Sequence, residues 1–411
     1  MMMSKLQQAA PMLRFKGYTD AWVQRKLGEI LSEKISNGIM NKPGRNELNI
    51  KHINVVNLYS PSYIHINELE YINASESDMQ RCNIEIGDIF LTRSSLKVEG
   101  IAHANILLDD GNLVFDDHIM RVKLNEDYEP FFVKEALNHS STKKQFMTKA
   151  KTGTMTTIGQ DDISSSSLTY PTKLEQTAIG NFFSTLDTTI TLHKRKLDGL
   201  KELRNGYLQR MFLQNGESVP RVRFEGYTDE WEIKKASEVF TSISDKNHSY
   251  LPVLSASQEK GMVLRDTIGI DIKYDENALG TYKRILPGQF AIHLRSFQGG
   301  FAHSTIDGIT SPAYTILDFK HQSEHASGFW KEVFTSPMFI KRLETITYGI
   351  RDGRSINFSE FSTLTMPCPP CNEQVAISDF FYKLDKQIVS QHSKLESLKQ
   401  LKHAYLQMMF M

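Results

Sequence analysis

The sequence predicts an α+β fold in which two pseudo-symmetric globular domains are separated by two long helices packed as an antiparallel coiled coil. Three observations support this prediction. An opening motif occurs twice, a closing motif occurs twice, and the segments between them alternate short β-rich runs with turn residues. At 411 residues the chain is also longer than one hydrophobic core normally supports.

The opening motif is PMLRFKGYTDAWVQRKLGEI at residues 11–30 and PRVRFEGYTDEWEIKKASEV at residues 220–239, an offset of 209 residues. It predicts an extended stretch, a turn and then a helix, because apolar residues recur at helical spacing and Gly38 follows as a stop. The apolar residues of this helix are Leu27, Ile30, Leu31 and Ile35, with Val239, Phe240 and Ile243 in the second copy. Trp22 and Trp231 are predicted to anchor the cores.

The closing motif covers residues 171–212 and 369–410, at an offset of 198 residues. Each copy begins Pro-x-x-x-Glu-Gln, ends Tyr-Leu-Gln-x-Met-Phe and has apolar residues at helical spacing, which is typical of a coiled-coil helix. A helix of about 38 residues would be about 57 Å long. The positions predicted to form the coiled coil or to bind partners are Ile179, Phe183, Leu186, Ile190, Leu197, Leu200, Ile377, Phe381, Leu384, Ile388, Leu395 and Leu398.

The seam of each helix also contains one polar residue near its middle, His193 in the first copy and Gln391 in the second. If the two helices pair antiparallel, these side chains face each other and help to fix the register. The alternative is that His193 only lies at the edge of the seam. The same seam passes through Leu203 and Leu401.

The repeats divide the chain into four segments: a globular domain at 1–168, a helix at 169–215, a second globular domain at 216–366 and a second helix at 367–411. The two globular bodies carry β-rich runs such as GDIFLTRSS and GQFAIHLRSF between Gly, Asn and Asp turns. The ends of the two halves match while their middles differ.

Composition excludes several classes of protein. The 48 basic and 48 acidic side chains balance, so a role in binding DNA would depend on local clusters rather than on net charge. Three cysteines do not indicate a disulfide framework. No apolar run has the roughly 20 residues of a membrane helix, and no signal peptide is visible, so we expect a cytoplasmic protein.

No catalytic motif is visible in the sequence. It lacks a phosphate-binding loop, a dinucleotide fingerprint, a methyl-donor loop and a nucleophile elbow. The C-x-x-C spacing of Cys368 and Cys371 is better explained as a proline-stiffened start of the helix, because a structural zinc site needs four ligands. We therefore expect no catalytic residue and no metal ligand.

Two turns in the bodies carry an arginine with small hydroxyl residues. They are TRSSLK at 92–97 and LRSFQGG at 294–300. This combination suits guanine recognition and phosphate contact, and a solvated turn is the alternative. The candidate DNA-binding residues here are Arg93, Ser94, Ser95, Lys97, Arg295 and Ser296.

A second basic cluster lies at residues 141–160, which contain four lysines and, up to Gln160, no acidic residue. These lysines are Lys143, Lys144, Lys149 and Lys151. At the 198-residue offset the first two align with Lys341 and Arg342, and Arg351 and Arg354 follow. Two equivalent basic patches suggest two phosphate-contacting sites, and a solvated helix face is the alternative.

The chain resembles the specificity subunit of Type I restriction–modification enzymes over residues 11–411. The resemblance rests on the opening motif, the closing motif and two further runs, GDIFLTRSS and TTIGQDDISSSSLTYP. The resemblance implies that each body is a target-recognition domain for one half of a split sequence in double-stranded DNA. The helices would set the distance between half-sites and bind methyltransferase subunits. The second copy departs from the first where CPP replaces TYP and YGIRDGRSI replaces KTGTMTTI.

The resemblance further implies that this chain is not an enzyme and binds no cofactor. S-adenosylmethionine, Mg²⁺ and ATP would be bound by the methyltransferase subunits and by separate restriction and translocase subunits. Three alternatives remain: a coiled-coil scaffold that binds only protein, a methyltransferase or nuclease that acts alone, and a specificity subunit of a related or phase-variable methylation system.

Overall fold

The computed structural model describes residues 10–40, 49–214, 216–257, 260–267, 276–293, 300–347 and 356–411. Contacts divide the chain into two compact units. Unit 1 contains the described residues up to Lys196 together with Gln391–Met411, and unit 2 contains those of Leu197–Ser390. Both divisions fall inside the long helices, so the four segment boundaries given by the sequence stay predictions.

Unit 1 contains eleven described strands and four short helices, followed by the first long helix. The strands are β1 Val23–Lys26, β2 Ser36–Asn37, β3 Lys51–Ile53, β4 Glu70–Tyr71, β5 Ile89–Thr92, β6 Ser94–Ser95, β7 Ala104–Ile106, β8 Leu113–Phe115, β9 Ile119–Val122, β10 Thr156–Thr157 and β11 Ser167–Tyr170. The helices are α1 Glu76–Cys82, α2 Pro130–Asn138, α3 Ser140–Lys149, α4 Gln160–Ser164 and α5 Lys173–Arg210.

The main sheet of unit 1 is antiparallel with strand order β2-β9-β5-β7, and a second sheet has the order β4-β3-β8. β5 separates two hydrophobic cores, because successive side chains of a strand point to opposite faces. Ile89 and Leu91 belong to the core that contains Trp22 and Phe132, whereas Phe90 belongs to the core under the second sheet. Trp22 is 5% exposed, which confirms its prediction as a core anchor.

The prediction of a helix after the opening motif is wrong. β1 is followed by one 3₁₀ turn, Leu27–Ile30, and then by β2. β1 pairs with the distant strand β11, from Val23 opposite Tyr170 to Lys26 opposite Ser167, and this tertiary pairing overrides the local helical spacing. Gly38 ends no helix. A Cβ atom there would lie 2.0 Å from the carbonyl oxygen of Phe115, so only glycine allows this close approach.

Unit 2 repeats this architecture. Its strands are β12 Glu232–Lys235, β13 Phe240–Ile243, β14 Leu254–Ser257, β15 Gly261–Leu264, β16 Lys283–Ile285, β17 Phe290–Ile292, β18 Phe301–His303, β19 Gly308–Thr310, β20 Thr315–Phe319 and β21 Thr365–Cys368. Its helices are α6 Ala236–Val239, α7 Ser327–Thr335, α8 Pro337–Thr347, α9 Phe358–Phe361 and α10 Cys371–Met409.

The main sheet of unit 2 has the order β13-β20-β17-β18, and β12 pairs with β21 as β1 pairs with β11. The helix predicted around Val239 is likewise wrong: α6 has four residues and leads directly into β13. Trp231 is 3% exposed and belongs to a core with Phe329 and Phe381, as predicted.

The two long helices pair antiparallel inside each unit. In unit 1 the rings of Phe182 on α5 and Tyr405 on α10 are 5.1 Å apart. In unit 2 the rings of Tyr207 on α5 and Phe380 on α10 are 4.9 Å apart. An early residue of one helix therefore contacts a late residue of the other, which confirms the predicted antiparallel arrangement.

The polar layer predicted between these helices is present in unit 1. Gln391 Nε2 lies 2.7 Å from His193 Nδ1 and 2.9 Å from the His193 carbonyl oxygen. Gln391 is 5% exposed, so this amide is paired within a buried part of the helix interface. Pairing the buried amide avoids the penalty of an unsatisfied polar group.

Most of the predicted seam is buried. The prediction is wrong at two positions, because Leu203 is 48% and Leu401 is 44% exposed. Four further positions are half-buried: Ile190, Leu200, Ile388 and Leu398. The buried positions are Ile179, Phe183, Leu186, Leu197, Ile377, Phe381, Leu384 and Leu395.

An ion pair explains why the two motifs are both repeated. In unit 1 the guanidinium of Arg14 donates to both carboxylate oxygens of Glu175, at 2.8 and 2.6 Å. In unit 2 Arg223 donates to both oxygens of Glu373, at 2.7 and 2.8 Å. Each pair joins the opening motif to the first turn of the long helix that starts in the same unit.

The closing aromatic residues fill equivalent positions in the two cores. Phe410 stacks on Phe132 in unit 1 with ring centroids 5.2 Å apart, and Phe212 stacks on Phe329 in unit 2 at 5.4 Å. Each end of a long helix is therefore part of a core. This requirement accounts for the repeated Met-Phe.

Each unit also contains a cluster of charged side chains, which is mostly buried in unit 1 and partly exposed in unit 2. In unit 1 the ammonium of Lys134 lies 2.7 Å from Glu135 and 3.3 Å from Asp187, and that of Lys402 lies 2.6 Å from Asp187. In unit 2 the guanidinium of Arg204 bonds to Glu332 and Asp385, which Lys331 also approaches. Each cluster connects the helix that covers the main sheet to both long helices.

Candidate nucleic-acid interface

The TRSSLK turn lies at the edge of unit 1, directly after the buried strand β5. The Arg93 side chain is exposed, and its backbone is fixed on both sides. Its N–H donates to the His118 carbonyl at 2.7 Å, and its carbonyl accepts from the Ile158 N–H at 3.0 Å. The guanidinium Nη1 donates to the Asp117 carbonyl at 3.2 Å, which leaves its remaining N–H groups available to a ligand.

Ser94 and Ser95 form β6 and pair with Thr157 and Thr156 of β10. Ser94 is buried, and the Ser95 hydroxyl accepts from the Lys97 N–H at 3.2 Å. Lys97 itself is exposed. Within this turn, Arg93 and Lys97 therefore present side chains to solvent, whereas the two serines mainly shape the turn.

Arg93 faces a cleft of about 760 Å³. Its walls come from four separate segments: β2, the TRSSLK turn, the turn between β8 and β9, and the hairpin that leads into α4. The polar side chains that line it include Asn37, Arg93, Asp117, His118, Lys151, Gln160 and Asp161. The turn between β8 and β9 brings two carboxylates and an imidazole together, and this group is the part of the cleft suited to a metal ion.

The cleft combines hydrogen-bond donors and acceptors instead of positive charge alone. Arginine recognises guanine through O6 and N7, asparagine or glutamine recognises adenine, and a carboxylate accepts from cytosine N4. Arg93, Gln160 and Asp161 supply one group of each kind. Such a surface suits base recognition, while phosphate contact requires the lysines around it.

The four predicted lysines of residues 141–160 have different environments. Lys143 donates to the Ile101 carbonyl at 2.9 Å, and burial lowers the pKa of its ammonium to about 7. Lys149 donates to the Asp162 carbonyl at 3.0 Å and to two serine hydroxyls. Their internal hydrogen bonds favour a structural role. Lys144 and Lys151 are exposed, and DNA contact stays a prediction for these two.

The basic patch of unit 2 aligns with that of unit 1 at a different offset. Gln145 Nε2 donates to the Ser167 carbonyl, and Arg342 Nη1 donates to the Thr365 carbonyl, each at the start of the equivalent strand. Gln145 is therefore the counterpart of Arg342, and Lys144 is the counterpart of Lys341. The predicted pairing of Lys143 with Lys341 is wrong by one residue.

Of the unit 2 candidates, Lys341 is exposed and Arg342 is half-buried. Four others, Arg295, Ser296, Arg351 and Arg354, lie outside the described residues. The two cysteines of the C-x-x-C motif are free thiols in different environments. Cys368 is buried, and burial raises the pKa of its thiol to about 11.

Sequence reasoning missed Asn37, Asp117, His118, Gln160 and Asp161. They come from segments far apart in the chain, and only the pairing of β6 with β10 and the packing of the β8–β9 turn bring them to Arg93. The one available signal was polarity: FDDHI and GQDDI place acidic and amide residues next to predicted strands.

Comparison with known proteins agrees with this architecture. Residues 19–202 match the family model of the Type I restriction modification DNA specificity domain. The specificity subunit of the Type I restriction enzyme EcoKI of Escherichia coli is 27% identical over 139 residues, which are 33% of this chain and 29% of that protein. A putative MjaX specificity subunit of Methanocaldococcus jannaschii is 21% identical over 401 residues, 93% of this chain and 91% of that protein.

Solved structures show the same fold at low identity. The S subunit of a Type I restriction–modification system from M. genitalium has a TM-score of 0.63 at 13% identity and covers 98% of this chain and 99% of its own. A chain from a structural study of complex assembly and conformational transition of the type I R-M system has a TM-score of 0.50 at 15% identity, covering 95% and 97%.

The repeated units and the paired helices define a specificity-subunit architecture. Residues 19–202 therefore match a Type I restriction modification DNA specificity domain, and the chain is similar over most of its length to specificity (S) subunits of Type I restriction–modification systems. The described part of the chain contains no helix with the length and hydropathy that a bilayer crossing requires.

Proposed function

We propose that this chain is the DNA-reading subunit of a Type I restriction–modification complex and that unit 1 reads one half of a split target through the cleft beside Arg93. The observation that supports this most is the fixed backbone of Arg93, which holds an exposed guanidinium at a cleft lined by hydrogen-bonding side chains. Bidentate contact of arginine with guanine requires such positioning.

The phosphate contacts are assigned to exposed lysines around the cleft. Lys151 lines the cleft together with Arg93, Lys97 follows Arg93 in the same turn, and Lys144 with its counterpart Lys341 occupies the equivalent helix of each unit. Each phosphate contact adds to the salt dependence of binding but carries no sequence information. Unit 2 would read the other half-site with the candidates named in the sequence.

The chain is proposed to act without chemistry of its own, in the cytoplasm. Methyltransferase subunits would bind the long helices and supply S-adenosylmethionine, and restriction subunits would supply ATP-driven translocation and cleavage with Mg²⁺. The helices α5 and α10 are proposed to set the spacer, so a seven-residue insertion in each should change the spacer but neither half-site.

The target must be found before the cleft can be tested. Methylome sequencing of the host with and without the gene should reveal a split motif that disappears with the gene. DNA binding by the intact complex is then measured for the native site and for sites changed at each guanine. If no motif depends on the gene, the proposed function is refuted.

Arg93→Ala is expected to weaken binding by about 1–3 kcal/mol, roughly 5- to 150-fold, and to relax specificity at one guanine. Arg25→Ala is the matched control, because Arg25 is exposed on β1, outside the cleft. Lys97→Ala should weaken all sequences equally and lower the salt slope by about 1. Equal effects of Arg93→Ala and Arg25→Ala would contradict the assignment of this cleft.

A further inference from the structure

The turn between β8 and β9 contains a compact group of metal-binding atoms. One carboxylate oxygen of Asp116, one of Asp117 and a ring nitrogen of His118 all lie within 4.8 Å of one another. His118 Nδ1 is 2.9 Å from Asp116 Oδ1 and 3.0 Å from Asp117 Oδ1. An ordinary Asx turn explains only the bond from the His118 N–H to Asp116 Oδ1.

A buried histidine beneath the turn gives an independent indication of a ligand. His52 on β3 is 6% exposed, and its Nε2 has no hydrogen-bond partner among the described residues. This atom points at the turn and lies 3.7 Å from Asp116 Oδ2, too far for a hydrogen bond. Unpaired buried polar atoms are rare in folded proteins, and carboxylates that bind a metal are themselves held by partners in the shell around the site.

From this geometry we infer that Asp116, Asp117 and His118 bind one divalent transition-metal ion, with His52 orienting the Asp116 carboxylate from below. Zn²⁺ fits best, because Mg²⁺ and Ca²⁺ prefer oxygen ligands to the imidazole nitrogen of His118. Zn²⁺ also takes three protein ligands and a water molecule in open sites. Ligand atoms on a tetrahedral ion with bonds of ~2.1 Å are about 3.4 Å apart. The half-exposed His118 ring can open its 2.9 and 3.0 Å contacts to this distance.

The ligands are already held in place by the backbone. The Asp116 N–H donates to the Ile53 carbonyl and the Asp117 N–H to the Ile39 carbonyl, each at 3.0 Å. The equivalent turn of unit 2, between β19 and β20, reads Ser311-Pro312-Ala313 and contains no ligand residue. One ion per chain is therefore expected at this kind of turn.

The site adjoins the proposed DNA contact. The carbonyls of Asp117 and His118 accept the two bonds that position Arg93, so a bound ion would stiffen the turn that supports Arg93. The metal site itself does not depend on the DNA-reading assignment. Its expected consequence, tighter DNA binding with Zn²⁺ than with a chelator, rests on the proposed function.

The test is a Zn²⁺ titration of the chelator-treated full-length chain by calorimetry, without DNA. One equivalent should bind, and Asp117→Asn and His118→Ala should each weaken it at least ~10-fold. His118→Ala changes a half-exposed turn residue, so folding should survive. His248→Ala is the matched control, since His248 also contacts a carboxylate, Asp245, at 2.8 Å but belongs to no group of three metal-binding residues in the described part of the chain, and it should not change the affinity.

His52→Leu should weaken Zn²⁺ binding ~10- to 100-fold through the loss of an orienting contact. The inference is overturned if the native chain shows no saturable Zn²⁺ binding or if His118→Ala binds as tightly as His248→Ala. If Zn²⁺ binds but DNA affinity is equal with Zn²⁺ and with chelator, the effect on Arg93 is refuted and the metal site stands. If no DNA is bound at all, the proposed function fails, and the titration still decides the site.

Discussion

Removing Glu373 should destabilise unit 2 more than removing Glu175 destabilises unit 1. Glu373 is buried and accepts two bonds from Arg223 and a third, at 3.1 Å, from the indole Nε1 of Trp231. Glu175 accepts only the two bonds from Arg14, and the Trp22 Nε1 has no hydrogen-bond partner in the described structure. The two units therefore differ by one hydrogen bond at equivalent positions.

The magnitude follows from what each substitution leaves unpaired. Breaking a buried ion pair costs about 3–5 kcal/mol, and the lower value applies in both units because the Arg14 and Arg223 side chains keep some contact with solvent, at 12% and 9% exposed. Glu373→Ala also leaves a buried indole N–H without a partner, which adds about 1 kcal/mol. We expect about 4 kcal/mol for Glu373→Ala and about 3 kcal/mol for Glu175→Ala.

The assay is urea denaturation followed by hydrogen-exchange mass spectrometry, which reads peptides of β12–β21 and β1–β11 separately. Glu225→Ala is the control, because Glu225 is an exposed glutamate of the same opening motif. In a double-mutant cycle, Glu373→Ala with Trp231→Phe should show a coupling of about 1 kcal/mol. An effect of Glu373→Ala no larger than that of Glu225→Ala would refute the reasoning, and so would a consistently larger effect of Glu175→Ala.

The charge cluster of unit 1 makes its stability sensitive to acid. Burial alone would raise the pKa of Glu135, but the charges of Lys134 and Lys402 outweigh it and hold this pKa below its usual range. The cluster's contribution is complete above about pH 4.5 and is lost as the pH falls through the lower folded pKa. Glu135→Gln should therefore flatten the loss of stability below pH 5 in urea titrations, and an unchanged slope would contradict this. Phe410→Ala should cost unit 1 about 3–5 kcal/mol and Phe212→Ala should cost unit 2 a similar amount; a loss below 1 kcal/mol in either unit would show that these rings are not core residues.

The parts of the fold that the sequence predicted are those with a strong local or repeated signal. Helical spacing over about 38 residues identified α5 and α10, and the repeat placed Trp22 and Trp231 in equivalent cores. His193 and Gln391 were matched because an antiparallel pairing has only one register that aligns both copies. In these cases the prediction needed no knowledge of distant contacts.

The failures have a common physical cause. Leu27, Ile30 and Ile35 are buried as predicted, but burial alone does not distinguish a helix from a 3₁₀ turn between strands. The pairing of β1 with β11 is what makes this segment a strand followed by a 3₁₀ turn instead of a helix. Similarly, Lys143 and Lys149 were chosen for their charge, whereas the fold uses their ammonium groups to bond backbone carbonyls.

The two halves of the chain match at their ends and differ in their middles, which predicts that different residues determine stability and sequence preference. The ion pairs, the closing aromatic contacts and the charge clusters occur in both halves, and none of the residues that make these contacts lines the cleft beside Arg93. The Asp116-Asp117-His118 turn is replaced in the other half by Ser311-Pro312-Ala313, which has neither a carboxylate nor an imidazole. A fold stabilised by the shared contacts can change its cleft at little cost in stability. Glu175→Ala should therefore lower stability and leave sequence preference unchanged, and Arg93→Ala should do the reverse. If both substitutions altered preference and stability together, the frame and the reading surface would not be separate.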